Sequence, residues 1–97
     1  MQLRLVKTAL PPADVIQKVT SLTWTPNAGK LAAVTTDRVV HLFDDGGERR
    51  DKFKTKPADA AGQQNYVVRA MAFSPDSTKL AVAQSDNIVF VYRLGSD

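Results

Sequence analysis

There is no cysteine among the 97 residues, so neither a disulfide framework nor a thiolate zinc site can form within this chain. Long apolar runs are also missing, and none approaches the roughly 20 residues that a membrane-spanning helix needs. The opening Met1-Gln2-Leu3-Arg4-Leu5-Val6-Lys7 interleaves charged with apolar residues. A secretory signal instead sets its basic residues ahead of an unbroken apolar stretch, and the reading is a cytosolic protein. Histidine occurs once, as His41 between Val40 and Leu42, a setting that suits packing better than a general base or a metal ligand. Asp44, Asp45 and Glu48 surround Gly46-Gly47 without the alternating oxygen ligands of a calcium loop. The two glycines open no helix that could cradle a phosphate. No catalytic residue, cofactor or metal is therefore expected, and the chain is read as non-enzymatic.

Charge is present in modest excess and is unevenly placed. Thirteen Lys and Arg stand against ten Asp and Glu, a net of +3. The segment from Glu48 to Lys56 holds five of the basic and two of the acidic residues, and elsewhere the two signs cancel. At the period of two expected for a strand, Arg50, Lys52, Lys54 and Lys56 share one side, with Asp51, Phe53 and Thr55 on the other. Such a stripe is either an edge strand kept soluble by its charge or a surface for an anionic partner.

The chain also repeats itself. Val19 to Phe43 lies over Val68 to Tyr92 without a gap, with Pro26 and Pro75, Lys30 and Lys79, and Asp37 and Asp86 each 49 positions apart (75 − 26 = 49). Aromatic residues recur with the turns, Trp24 with Phe73 and Phe43 with Tyr92. Within each unit the pattern predicts three strands. The first runs over 19–25 and again over 68–74, followed by a turn with Pro at its second position and Asn or Asp next. The others run over 30–36 and 39–44, and over 79–85 and 88–93. A fourth strand is expected ahead of each triplet, over 2–8 and over 49–55. The fold class is all-β, with eight strands in two four-stranded antiparallel blades spanning 1–97. The first blade is placed at about 2–44 and the second at about 48–93, with 56–65 as a long loop.

Four strands per unit, an Asp in the turn between the second and third inner strands and an aromatic six residues later resemble the WD40 repeat of β-propellers. The positions that carry the resemblance are Asp37 with Phe43-Asp44 and Asp86 with Tyr92-Arg93. In that family a His near the start of the unit, a Ser or Thr two residues before the Asp, and a Trp form a hydrogen-bonded tetrad. Here Thr35 stands two residues before Asp37, but Gln84 holds that place before Asp86, no His precedes either first strand, and Phe43 has no donor. The two Asp residues are therefore assigned to holding turns. Trp24, Leu31, Val40, Phe43, Phe73, Leu80, Val89 and Tyr92 are expected to pack the blades. Longer stretches, including Gly47-Glu-Arg-Arg-Asp-Lys-Phe and Thr55-Lys-Pro-Ala-Asp, are similar to the extreme amino terminus of a very large subunit of the intraflagellar transport B complex. That resemblance implies amino-terminal propellers before a long helical-repeat tail, and a scaffold role in transport along the axoneme. It also implies a place in the cilium or flagellum and basal body on the cytosolic side. The partners it implies are the remainder of its own propeller and other subunits of the complex, including a calponin-homology subunit.

Partner contact is expected on loops and on the outer basic strand, at Arg49, Arg50, Lys52 and Lys54. The alternative is a small basic β domain that binds nucleic acid or an anionic membrane through the same stripe. Against nucleic acid, the aromatics that a single-strand binder would use for stacking lie at apolar strand positions, so no nucleic-acid partner is expected, and membrane contact is not predicted. A complete β-sandwich is disfavoured because the unit repeats so cleanly. Propellers close at about four to eight blades, so the 97 residues read as a fragment with two faces for neighbouring blades. Alone, they are expected to be poorly folded, associated through exposed faces, or ordered by something they bind, which sedimentation and thermal melting check. A monodisperse 10.6 kDa species with cooperative melting would overturn that expectation.

Overall fold

The first hairpin of each repeat is set by a hydroxyl and an Asx side chain at its tip. In the computed structural model, which describes residues 2–11, 17–58 and 65–95, Thr25 Oγ1 accepts from Lys30 N–H at 3.0 Å and donates to Asn27 Oδ1 at 2.8 Å. Forty-nine residues on (74 − 25 = 49), Ser74 Oγ accepts from Lys79 N–H at 3.1 Å and donates to Asp76 Oδ1 at 2.6 Å. These turns join antiparallel strands β1 (Val19–Trp24) to β2 (Lys30–Thr35) and β5 (Val68–Phe73) to β6 (Lys79–Gln84). Strands β3 (Val39–Asp44), β4 (Arg49–Lys54) and β7 (Val89–Arg93) complete the seven strands among the described residues.

The repeat is reproduced in backbone detail. Register slips between Val19 and Ser21 and again between Val68 and Ala70. Among the described residues, the four non-glycine residues at positive φ fall in two equivalent pairs, Ala28 (59°) with Ser77 (64°) and Arg38 (68°) with Asn87 (68°). The entry to each inner strand is held in the same way. Lys18 N–H donates to Thr36 Oγ1 at 3.2 Å, and Val67 N–H donates to Ser85 Oγ at 2.9 Å.

The expected grouping of strands is corrected at its outer members. The segment over 49–54 forms a strand, but it pairs with β3, so the sheets run β1-β2-β3-β4 and β5-β6-β7. Its turn explains the choice. Asp44 O accepts from Gly47 N–H at 3.1 Å and Asp44 N–H donates to Glu48 O at 2.9 Å, folding β4 back along β3 within five residues. The repeated sequence unit thus begins with the outer strand of the preceding sheet. Residues 2–8 carry no strand, so the four-plus-four tally becomes four plus three. Of the expected 56–65 loop, residues 59–64 lie outside the described residues.

The two sheets share one aliphatic layer. Ala32 and Val34 from β2 and Val40 from β3 meet Val68 from β5 and Leu80 and Val82 from β6, all at 0% exposure. Alternation puts these residues on one side of each sheet, and Leu42, Phe53, Met71, Phe73, Tyr92 and Leu94 pack around them. Phe53 and Tyr92 close the outer margin with ring centroids 5.1 Å apart, and β1 runs beside β5 at the inner one. Of the expected packing residues, Val40, Phe43 and Leu80 are buried, whereas Trp24 is 47% and Val89 61% exposed. Trp24 pairs with Leu31 and Val89 with Ala83, positions that alternation assigns to the outer faces of the stack.

Two outcomes follow from the turns. Ala28 has a Cβ in left-handed backbone, a conformation that costs about 1–2 kcal/mol relative to glycine. After allowance for glycine's freedom in the unfolded chain, Ala28→Gly is expected to stabilise the hairpin by about 0.5–1 kcal/mol. Slower hydrogen exchange across residues 25–30 in the full-length protein would show it, and unchanged or faster exchange would refute it. Asp76 accepts from Ser74 Oγ and from both Thr78 Oγ1 (2.8 Å) and Thr78 N–H (3.1 Å), which hold its carboxyl far below the usual range. A depressed folded-state value means that the bonds stabilise the turn fully above the unfolded carboxylate range, near pH 4. Their contribution then fades as pH falls through the folded value. Carboxyl carbon NMR should place the Asp76 midpoint below those of ordinary aspartates, and a midpoint near 4 would refute it.

Candidate interaction surface

Of the basic residues singled out from sequence, Arg49, Arg50, Lys52 and Lys54 lie on β4, an edge strand of the four-stranded sheet with residues 49–52 and 54 exposed, and Lys56 lies two residues beyond it. Register fixes their arrangement. Lys54 stands across from Val39, Lys52 from His41, and Arg49 from Phe43, while the intervening pairs are Phe53 with Val40 and Asp51 with Leu42. Phe53 therefore faces the shared core, and Lys52 and Lys54 face the opposite side. A bulge sets both Arg49 and Arg50 within the step from Asp51 to Phe43. The simple alternation expected from sequence, with Arg50 in line with Lys52 and Lys54, is broken there, because one extra residue resets the pleat.

Asp44 organises this end of the strand. Its Oδ1 accepts from Gly46 N–H at 3.0 Å and Glu48 N–H at 2.9 Å, and its Oδ2 accepts from Arg50 Nε at 3.0 Å and Nη2 at 2.9 Å. The Glu48 amide first, then the Gly46 amide and Arg50, hold the Asp44 carboxyl below its usual range. Arg50 is thereby committed to the turn. Arg49 lies apart from it, with Nη1 3.4 Å from His41 Nδ1. Partial burial, followed by the charges of Arg49 and Lys52, lowers the His41 pKa against the opposing pull of Asp37, so the imidazole is neutral at pH 7. On the far side of the turn, Lys7 Nζ pairs with Glu48 Oε1 at 2.7 Å. A groove of about 920 Å³ lies between residues 7–11 and the His41 face, with Asp37, Glu48 and Arg49 on its walls.

Among the described residues, the aromatics nearest the basic strand offer no stacking platform. Phe43 is 1% exposed, and Phe53 packs against Tyr92. The surface offers cations and a strand edge, an arrangement suited to anionic groups on an extended chain and poorly suited to unstacked bases.

The repeat positions hold the turns together. Thr35 Oγ1 donates to Asp37 Oδ1, and Val39 N–H reaches the same oxygen at 3.4 Å. In the second unit Gln84 takes the donor's part. Its Nε2 donates to Asp86 Oδ1 at 3.1 Å and to Lys56 O at 3.2 Å, while Asp86 Oδ2 accepts from Ala58 N–H at 2.8 Å. Tyr92 Oη accepts from Lys56 N–H at 3.3 Å, so the loop after β4 is tied to the second sheet at three points. Phe73 is half-buried beside the shared core.

Sequence reasoning missed Tyr66. It is the largest fully buried side chain, at 2% exposure, with Oη 2.9 Å from both Thr55 O and Thr55 Oγ1, and Arg38 Cζ lies 5.3 Å from its ring centroid. The available signal was one aromatic just ahead of β5 in an otherwise polar stretch.

Comparison with known proteins accords with this geometry. The model of the WD domain, G-beta repeat, matches residues 58–93. Over 94 residues the chain is 70% identical to intraflagellar transport protein 172 of Chlamydomonas reinhardtii, an alignment covering 97% of this chain and 5% of that protein. Over 98 residues it is 55% identical to the homolog from Mus musculus, covering 100% of this chain and 6% of that one. The chain thus spans about one twentieth of the length of these relatives. Among solved structures, the Cps50 (Swd1) β-propeller domain of Myceliophteria thermophila superimposes with a TM-score of 0.62 at 19% identity, over 81% of this chain and 23% of that one, a likeness of fold alone. The two stacked antiparallel sheets, the WD-repeat match and the whole-length similarity across alga and mouse together make this chain a WD40-repeat segment of the intraflagellar transport protein 172 family.

Proposed function

We propose that the chain serves as part of a non-enzymatic protein-interaction scaffold in intraflagellar transport, within an amino-terminal propeller needed for ciliary assembly and movement along the axoneme. The observation that carries this reading is the whole-length identity to intraflagellar transport proteins from distant organisms. The geometry supports it from another side. The turn aspartates are taken up by hydrogen bonds within the fold, burial lowers the pKa of the half-buried His41, and the segment presents a charged strand edge outward.

In this reading the partners are other subunits of the intraflagellar transport B complex, a calponin-homology subunit among them, together with the rest of the same propeller. The place of action is the cilium or flagellum and the basal body, on the cytosolic side. Arg49, Arg50, Lys52 and Lys54 form the contact surface, with Arg50 acting through the turn that it shares with Asp44.

An antibody raised against residues 47–56, which include the exposed β4 strand, tests the reading on separated cilia and cell bodies. The expected result is a very large polypeptide enriched in cilia that co-sediments with the transport complex. A small band confined to cell bodies would refute it and would leave the basic strand to be tested as a polyanion-binding surface through the salt dependence of its affinity.

A further inference from the structure

β4 ends its sheet, so one edge of its backbone has no ladder partner among the described residues. Thr55, just beyond it, donates its N–H inward to Arg38 O at 3.0 Å, and strand alternation then turns the amides of Lys52 and Lys54 outward. The Lys52 amide shows the consequence. It is bonded at 2.8 Å to Oδ1 of the neighbouring Asp51, a local substitute for the strand that is not there.

The side chains along this edge are equally unmatched. Arg50 is held by Asp44, but among the described residues no carboxylate lies within ion-pair distance of Arg49, Lys52 or Lys54. Lys52 and Lys54 stand on one face at the strand's period of two, and Arg49 joins them across from Phe43. A strand laid along the edge would set every second side chain on that same face.

We propose that the free edge of β4 receives an added strand, an extended acidic segment of a partner protein with carboxylates at every second position. Its backbone pairs with Lys52 and Lys54, displacing Asp51 from the Lys52 amide, and its carboxylates lie beside Arg49, Lys52 and Lys54. The inference rests on the reading of this strand as a partner surface and gives that partner a conformation and a charge pattern. Main-chain pairing supplies the affinity, and the alternate acidic side chains supply the selection. A lipid surface matches the edge less well, because it offers no row of carbonyls at the strand spacing of the Lys52 and Lys54 amides.

The experiment uses the full-length protein and a fluorescein-labelled peptide of about eight residues alternating Glu and Thr, with anisotropy as the readout. Two further peptides carry N-methyl groups on one or the other alternate set of amides, which preserves charge and blocks one edge from pairing. The unmodified peptide is expected to bind, and methylation of one set but not the other is expected to weaken it by about tenfold, the loss of roughly two backbone hydrogen bonds. The double variant Lys52→Glu with Lys54→Glu should abolish binding and Lys52→Gln with Lys54→Gln should weaken it, each with an unchanged circular dichroism spectrum. If charge reversal abolishes binding but neither methylated set weakens it, the partner-surface reading stands and strand addition fails. Absent peptide binding, or binding unaffected by reversal, overturns both. Tighter binding to phosphatidylserine vesicles than to the peptide, lost on reversal, assigns the strand to a membrane and also overturns the proposal.

Discussion

The structure depends on one aliphatic layer shared by two sheets. Ala32, Val34 and Val40 on one side and Val68, Leu80 and Val82 on the other are fully excluded from solvent. Each sheet alone presents one apolar face that must be covered. Burying a large aliphatic side chain contributes about 1.5–3 kcal/mol, so stacking outweighs any single turn or ion pair among the described residues. It also fixes direction. Because β2, β3 and β6 are pinned by this layer, β1 is set beside β5 at one margin and Phe53 against Tyr92 at the other, leaving the far edge of β4 outward.

The same stacking leaves two opposite faces unequal to the one it buries. Leu22 and Trp24 on the first sheet and Val89 and Val91 on the second are between 47% and 62% exposed, although they belong to strands whose other side is half-buried. Small residues dominate the second outer face, where Ala70, Ala72, Ala81 and Ala83 share the pleat with Val89 and Val91. Trp24 and Val89, expected to pack the blades, therefore lie on these outer faces and outside the layer that the two sheets share. Their periodicity identifies an apolar face correctly, but a pattern of two cannot say which face of a stacked sheet meets a neighbour within the chain.

Local chemistry was legible and partner choice was not. The tip residues Thr25-Pro26-Asn27 and Ser74-Pro75-Asp76 could be read as turns because each carries its own hydrogen-bonding groups, and the 49-residue offset carried that reading into both units. The strand at 49–54 was equally visible as a strand. Its membership in the first sheet was hidden, because hydrogen bonding to β3 depends on the turn that Asp44 closes and leaves no mark in the alternation of β4 itself. Residues 2–8 alternate like a strand and have no described partner, which shows the converse: pattern without a neighbouring edge does not make a sheet. Tyr66 was hidden for another reason. Its burial comes from Thr55 and Arg38, remote in sequence, and a lone aromatic in a polar stretch does not reveal what will close over it.

The candidate surface owes its form to a single half-buried carboxylate. Asp44 accepts two amides of the 44–48 turn and the guanidinium of Arg50, so the turn, the bulge and the commitment of one basic residue are parts of one arrangement. The bulge shifts the pleat by one residue, which places Arg49 with Lys52 and Lys54 on the face away from the core and keeps Phe53 turned toward it. Without that shift, uninterrupted alternation from Phe53 would set Arg49 on the core side with Asp51. That one carboxylate thus decides which charges the strand edge presents, and the surface chemistry of β4 follows from how its turn is closed.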